Sequence, residues 1–378
     1  MISVLAMGLF VAYAGLVILL TVGWTLASKP SVKVQRVDSD NRPLISIVVA
    51  ARNEEQCLPS LLNDLRAQQY VDFEVIIIDD HSEDRTSQIC QKAAESDPRI
   101  RSVVASGVGK KAALSQGVGL SQGTIIVSTD ADCRVGPHWL EAWTHIFIDD
   151  SVMLGFGAVS MTGPTRFDRI QAMEFATLVG AGAATATLGK PTMCNGANLA
   201  FRRSAFVAVK GYAGNEQIPS GDDEFLMRKI ESHFPGSIRY CADSNVLVKT
   251  GTLATLPAFV QQRIRWAGKW KCNSSTTSKL LAVGVFCLHL CVLALPILLV
   301  TDTIKPSVVL LCILLKFFAE FFFLCSLRPI ILSRWSWVAF FVLQLVYSGY
   351  VVGVALWSQF SGFQWKGRRL KPLMASGN

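Results

Sequence analysis

Thr124–Cys133, TIIVSTDADC, decides how this chain is read. Mostly apolar, β-branched residues lead into two carboxylates, Asp130 and Asp132, with one small residue between them. A short apolar run of β-formers bounded by polar residues reads as a buried strand. The same arrangement recurs upstream. LISIVVAA (44–51) is followed by Arg52, Asn53 and Glu54, and FEVIIIDD (73–80) ends on Asp79 and Asp80. The strand-like IRSVVAS (100–106) is followed by a helix that Lys110 opens. Between these runs lie RNEEQCLPSLLNDLRAQ, SEDRTSQICQKAAES and GKKAALSQGVGLSQG, which carry helical patterns, with Ser82 a plausible cap of the second. Strands apolar on both sides that alternate with helices predict an α/β fold with a mainly parallel sheet covered on both faces. In such sheets ligands bind outside the carboxyl ends of the strands, where all these charged residues fall.

After residue 150 the pattern loosens. GFGAVSMTG (155–163) is strand-like, RIQAMEFATLVGAGAATATLGK (169–190) reads as a small-residue helix, and TMCNGANLAFRRSAF (192–206) as a strand turning into a helix. SGDDEFLMRKIES (220–232) begins another helix, with Ser220 or Asp222 as its cap. TLPAFVQQRIRWAGKWK (255–271) is amphipathic, basic and Trp-containing, the composition of a helix at a membrane interface.

The remaining sequence explains a composition of 51% hydrophobic residues and a mean hydropathy of +0.38. Residues 1–27 contain no charged side chain and exceed the roughly 20 residues that cross a bilayer core. With no basic leader and too long an apolar run for a cleaved signal, they read as a retained anchor. Apolar blocks at about 279–300, 307–326 and 336–357 are each long enough to span. The expected domains are therefore an anchor at 1–27, a globular domain at 44–275, membrane segments at 279–357 and a basic tail at 358–378. The basic KPSVKVQR after the first span places the globular domain in the cytoplasm, at the inner membrane. Four spans would then put the basic WKGRRLK outside, against the same rule. Either one late segment is re-entrant or interfacial, or the rule fails here. Lys316 and Glu320, an i,i+4 pair, mark the third apolar block as least like a simple lipid-facing span.

The formal charge of +8 points to anionic headgroups or an anionic cofactor. No stretch interleaves basic and aromatic residues as a nucleic-acid platform does, so no nucleic-acid partner is expected. The ten cysteines are scattered, without a Cys-x-x-Cys, in keeping with a reducing compartment. Cys287 and Cys291 read as small hydrophobes on one helix face. His81 and His138 have no metal-site spacing and read as surface or turn residues, while His289 lies in an apolar block and reads as packed between spans.

Two carboxylates one residue apart at a strand end can bind a hard divalent cation, Mn²⁺ or Mg²⁺, together with phosphate oxygens. Lys110 is placed to contact a pyrophosphate, and Asp79 and Asp80 to accept hydrogen bonds from a base or ribose. The set reads as a site for a nucleotide diphosphate.

These residues resemble a known family. ARNEE (51–55), IIIDDHS (76–82), GKKAAL (109–114), TDADC (129–133), GDDEFL (221–226) and Gln262-x-x-Arg265-Trp266 occur in the order and spacing of family-2 glycosyltransferases of the GT-A fold. The resemblance covers about 44–275. It is strongest to membrane-integrated members related to cellulose and hyaluronan synthases and to lipid-glycosylating transferases. It implies that Glu54 and Asp79 hold the base and ribose of a nucleotide sugar, with Asp80 beside them and Lys110 near the diphosphate. Asp130 would face the ribose or sugar and Asp132 would ligate the metal bridging both phosphates, Asp130 being the second carboxylate of that DXD motif. Asp223 aligns with the general base, and inversion by a single displacement is the expected outcome. Gln262, Arg265 and Trp266, the QxxRW motif, would close over the diphosphate and form the acceptor entrance. Where many members have Tyr or a similar residue before Asn-Glu, this chain has Arg52.

CNGANLAFRR (194–203) resembles the acceptor-side segment, although Asn195 and Asn198 also read as ordinary turn residues. Asp222 and Glu224 read in part as a helix N-terminus, Glu224 as structural. Lys269, Trp270 and Lys271 read as interfacial anchors, and FQWKGRR (363–369) resembles a basic-aromatic motif of lipid-glycosylating relatives. The expected activity is transfer of a sugar from a nucleotide sugar, typically a UDP-sugar with GDP as alternative, to a membrane-associated, lipid acceptor. The alternatives are a processive polysaccharide synthase and, in another class, a non-catalytic membrane-anchored nucleotide-sugar sensor.

Overall fold

The computed structural model describes residues 1–29, 42–216, 218, 220–268, 275–332 and 334–360, and the backbone of 363–365 and 368–370. Residues 30–36 of the basic stretch, Lys269–Lys271 and the tail beyond 370 lie outside the described residues, as do the side chains of 363–369. Two compact units divide the chain: Ala27–Thr162 with Ala186–Gly251, and Met1–Leu26 with Gly163–Thr185 and Thr252–Asn378.

The chain begins with helix α1 (Ile2–Ala27), most of which belongs to the second of these units. The α/β unit then runs β1 (Ile45–Ala51), α2 (Leu58–Arg66), β2 (Phe73–Asp79), α3 (Thr86–Ser96), β3 (Ile100–Val104), α4 (Lys110–Leu120) and β4 (Ile125–Asp130). It continues with β5 (Cys133–Arg134), α5 (Trp139–Ile146), β6 (Leu154–Gly157) and β7 (Val159–Thr162). After α6 (Arg166–Thr187), which lies in the other unit, come β8 (Leu199–Arg202), α7 (Arg203–Ala208), α8 (Asp222–His233), β9 (Ile238–Cys241) and β10 (Val248–Gly251). The main sheet has the order β3-β2-β1-β4-β8-β6-β9, and a smaller one the order β5-β10-β7. Strands β3, β2, β1 and β4 are mutually parallel, β8 runs antiparallel to β4 and β6, and β9 is parallel to β6. The sheet is therefore mixed but mainly parallel, as the alternation predicts.

The apolar runs become central strands because both faces are covered. Ile47, Val48 and Val49 of β1, Val75–Ile78 of β2 and Ile126 and Val127 of β4 are fully buried. Helix α4 lies so close to β1 that a Cβ on Gly117 would come within 2.4 Å of Val48 Cγ1. Register then sets the site: Ala51 pairs with Asp79 and Ala50 with Asp130, so the two carboxylates flank the end of β1. The chain fills β2 and β3 on one side of β1 before crossing to β4 on the other. This is the switch point at which parallel α/β sheets open a crevice.

Two expected caps are not formed. Helix α3 starts at Thr86 with Arg85 before it, because Ser82 is engaged elsewhere: its N–H and Oγ donate to Asp79 Oδ1 at 3.1 and 2.5 Å. Helix α8 is preceded by Gly221 in the left-handed region (φ 78°), so neither Ser220 nor Asp222 is its N-cap. Asp222 instead lies in the first turn, where its charge complements the helix dipole.

The other unit holds α6, α9 (Leu256–Gly268), α10 (Thr276–Val300), α11 (Pro306–Leu327), α12 (Trp337–Trp357) and a backbone hairpin of β11 (Phe363–Trp365) with β12 (Arg368–Leu370). Among the described residues, α1, α10, α11 and α12 are long and apolar enough to cross a membrane. The helix at Lys316 and Glu320 is thus full-length and continuous. Its charges are paired internally: Lys316 Nζ donates to Glu320 Oε2 (2.8 Å) and Gln344 Oε1 (3.1 Å). Gln344 Nε2 and Tyr13 OH each donate to Glu320 at 2.7 Å. His289 is fully buried, its Nδ1 3.0 Å from Ser348 Oγ. Removing one member of a buried pair leaves its partner's charge uncompensated, at a cost of about 3 kcal/mol. Lys316→Met is therefore expected to lower the thermal midpoint in detergent, and Lys316→Met with Glu320→Gln to recover most of it; an unchanged midpoint in the single variant would contradict this.

Candidate functional site

The site builds outward from Lys110. Gly109, at φ 99°, starts α4, a backbone conformation that costs glycine little. The N–H of Gly109 donates to Asp80 Oδ1 (3.0 Å), which binds the end of β2 to the start of α4. The two lysines of the Gly-Lys-Lys stretch then diverge. Lys111 is buried, donates to Asn215 O (2.8 Å) and lies over the Phe225 ring (4.7 Å to its centroid), holding α8 in place. Lys110 turns to the acids, with Nζ 2.6 Å from Asp130 Oδ1 and 3.1 Å from Asp222 Oδ2. Burial by itself would depress the Lys110 pKa, but Asp130, Asp222 and Asp223 outweigh it and hold the ammonium well above the usual lysine range.

Asp223 stands beside this pair. Its Oδ2 accepts the N–H of Gly196 (3.0 Å) and its Oδ1 the N–H of Glu224 (2.7 Å). Acids 92 residues apart in sequence, Asp130 and Asp222, therefore meet at one ammonium. Glycine at 196 permits the approach, since a Cβ there would lie 3.0 Å from Asp222 Oδ2, 3.4 Å from Asp223 Cβ and 3.5 Å from Lys110 Nζ. Gly196→Ala is accordingly expected to lower any turnover at this site about 10-fold with little change in thermal midpoint, because a displacement of under 1 Å at a group that took part in a reaction would be costly. Steady-state assays that find wild-type turnover would refute that crowding.

Asp79 and Asp80 are buried, and Glu54 is half-buried with its N–H donating to Thr86 Oγ1 (2.7 Å). Arg52 is 6% exposed and does not offer a plane for base stacking. Its guanidinium donates to Asp80 O (2.8 Å), His81 O (2.6 Å) and Glu83 Oε1 (2.9 Å), bracing the loop after β2. That loop contains His81 in the left-handed region, exposed, with Nε2 3.1 Å from Gly107 O. His138 is also exposed and lies 3.0 Å from Glu141.

Both asparagines of the acceptor-like segment have structural partners. Asn198 is fully buried, donates to Ala158 O and Val246 O (2.7 Å each) and accepts from Trp139 Nε1 (3.1 Å). Asn195 Oδ1 accepts the N–H of Ala197 (3.0 Å) and caps the turn Gly196–Asn198 that carries Gly196 to Asp223. Glu224 pairs with Arg228 at 2.5 Å, one turn along α8.

A divalent cation fits this chemistry. Among the described residues no group of three or more His, Cys, Asp or Glu side chains is arranged to hold a metal ion by itself, and a cation that arrives with phosphates needs only one or two carboxylates from the protein. Asp132 is exposed just past the end of β4. Cys133, next to it, supplies no thiolate: burial, Asp130 and Asp132 push its pKa well up. Lys110 faces Asp130, Asp222 and Asp223, three carboxyl groups about one ammonium, a setting in which a bound cation would favour an anionic ligand.

The remaining predicted residues lie on α9, in the other unit. Gln262 Oε1 accepts from Arg263 Nη1. The Arg263 guanidinium lies 4.3 Å from the centroid of the Trp266 ring, and Trp266 packs 5.9 Å from Phe175. Arg265 is half-buried.

Strand order, switch point and acidic edge define an α/β protein of the GT-A type. Over 95% of this chain and 99% of the other, the structure is similar to that of a mannosyltransferase from Pyrobaculum calidifontis solved with GDP-Man and Mn²⁺ (TM-score 0.56, 18% sequence identity), a likeness of fold. Residues 46–209 match Glycosyl transferase family 2, and the chain carries a domain of that family. A poly-beta-1,6-N-acetyl-D-glucosamine synthase of Staphylococcus aureus is 29% identical over 255 residues, 65% of this chain and 57% of the synthase. A beta-monoglucosyldiacylglycerol synthase of Trichormus variabilis is 40% identical over 104 residues, 26% of this chain and 22% of that one. This chain thus spans little more than half of the first relative's length.

Two residues of the cluster escape a reading by motif. Asp222 pairs with Lys110, and the doubled Asp was its signal. Gly196 admits Asp223; the resemblance of CNGANLAFRR to an acceptor-side segment marked its neighbourhood, but not its contact with Asp223.

Proposed function

We propose that the chain is an inverting glycosyltransferase that moves a sugar from a nucleotide sugar to a lipid acceptor, from the cytoplasmic side of the inner membrane. The observation that carries this is Lys110 held between Asp130 and Asp222, with Asp223 beside them, at the carboxyl edge of a parallel sheet. Glu54, Asp79 and Asp80 bind base and ribose, and Lys110 contacts the diphosphate. Asp132, with Asp130, would hold a divalent cation, Mn²⁺ or Mg²⁺, which when bound neutralises charge on the departing nucleoside diphosphate. The acceptor hydroxyl oxygen bonds to the anomeric carbon as the bond to the diphosphate breaks, and its proton passes to Asp223. By family resemblance, Gln262, Arg265 and Trp266 contact diphosphate and acceptor. Four helices able to cross a bilayer among the described residues, and the similarity to a beta-monoglucosyldiacylglycerol synthase, support a lipid acceptor.

A second reading, synthesis of a polysaccharide, is favoured by the longer match to the Staphylococcus aureus synthase. To decide, purified protein in diacylglycerol nanodiscs would be given UDP-glucose, UDP-N-acetylglucosamine or GDP-mannose, each with and without Mn²⁺. Thermal shift reads binding and mass spectrometry counts sugars per acceptor. One sugar per lipid is expected; long chains would establish the second reading, and binding without any transfer would establish a sensor.

A further inference from the structure

Glu174 is the one carboxylate of α6 after its first turn, and beyond Gln171 the rest of that helix is apolar or small. It is 3% exposed and faces Arg263, which is 4% exposed. The pair is bidentate, with Nε–Oε1 at 3.1 Å and Nη2–Oε2 at 2.5 Å. Tyr350 of α12 donates a further hydrogen bond to Glu174 Oε1 (3.1 Å). The third guanidinium nitrogen, Nη1, donates to Gln262 Oε1. The same guanidinium carbon lies over two aromatic rings, 4.5 Å from the centroid of Phe259 and 4.3 Å from that of Trp266. Phe259 in turn stacks on Tyr350 at 5.6 Å. The residues 259, 263 and 266 share one face of α9 through i,i+4 and i,i+3 spacing.

A buried ion pair is a poor source of net stability, because desolvation offsets the Coulomb attraction. What this one supplies is orientation. A bidentate fork fixes the guanidinium plane, and the fixed guanidinium in turn donates to the Gln262 amide and lies over the Trp266 indole. We propose that Glu174 is a positioning residue: acting through Arg263 it sets Gln262 and Trp266 in their working orientation, and Tyr350 ties this arrangement to α12. The proposal rests on the reading of Gln262 and Trp266 as contacts for diphosphate and acceptor.

The test uses the full chain in diacylglycerol nanodiscs, with nucleoside diphosphate release from UDP-glucose, UDP-N-acetylglucosamine and GDP-mannose as the assay. Glu174→Gln keeps the side chain's size and its acceptor oxygen but removes the charge. It is expected to lower kcat about 10- to 100-fold with donor KM within about 2-fold, the pattern of a misplaced group. In a Trp266→Ala/Gln262→Ala background the same substitution is expected to change kcat less than about 2-fold, because residues acting as a unit are not additive. If the two losses multiply, or Glu174→Gln keeps wild-type kcat while Trp266→Ala does not, the positioning role is wrong and the reading of the motif stands. If Trp266→Ala and Gln262→Ala keep full turnover, that reading fails and the proposal with it. Should Glu174→Gln not fold, Arg263→Lys carries the test: it keeps the charge, loses the fork and is expected to show the same kcat loss at unchanged KM.

Discussion

Asp223→Asn is expected to lower sugar transfer by about 10²- to 10⁴-fold, the usual contribution of a general base, while nucleotide-sugar binding stays within a few-fold of wild type. The geometry explains the separation. Asp223 Oδ2 and Oδ1 accept the N–H groups of Gly196 and Glu224, so backbone donors help to aim the carboxylate. Asparagine keeps one oxygen for one of these donors and cannot take a proton. Calorimetric titration of the three nucleotide sugars beside a turnover assay reads both quantities. Loss of binding and transfer in parallel, in protein with a wild-type thermal midpoint, would sink the assignment of Asp223 as base.

The second large effect falls on the opposite side of the reaction, at the leaving group. Asp132→Asn is expected to remove the Mn²⁺-dependent part of the nucleotide's thermal shift and to lower kcat by about 10²-fold or more, as loss of a group that stabilises developing charge does. Because Asp132 is exposed beyond the last residue of β4, the substitution leaves the buried strand untouched and the midpoint without ligand should not move. Asp130→Asn differs, since Asp130 also pairs with Lys110. Nucleotide binding to Asp132→Asn that still responds fully to Mn²⁺ would show that the carboxylate is no ligand.

The fold was legible because its strands obey a local rule. LISIVVAA, FEVIIIDD and TIIVSTD are each too apolar for a one-sided strand, and that alone predicts a parallel sheet buried on both faces. The four spanning candidates were legible for the same reason, a long apolar run needing no distant partner. Caps were less so: Ser82 and Ser220 are good N-cap residues, yet Ser82 is claimed by Asp79 and a left-handed glycine precedes α8. A cap's free energy is about 1 kcal/mol, small enough for tertiary contacts to override.

By itself the sequence determined which residues carry charge to which strand end, that an Asp-x-Asp and a Lys belong to one sheet edge, and which segments are apolar enough to span. Only the tertiary structure decided that Asp222 pairs with Lys110, that Gly196 admits Asp223, that Arg52 braces a loop, and that α6 packs with α9 through Glu174 and Arg263. The physical reason is range. Hydrophobic periodicity is set by neighbours a few residues apart and is written in each segment, whereas an ion pair joining residues 89 or 112 positions apart exists only once the chain has closed on itself.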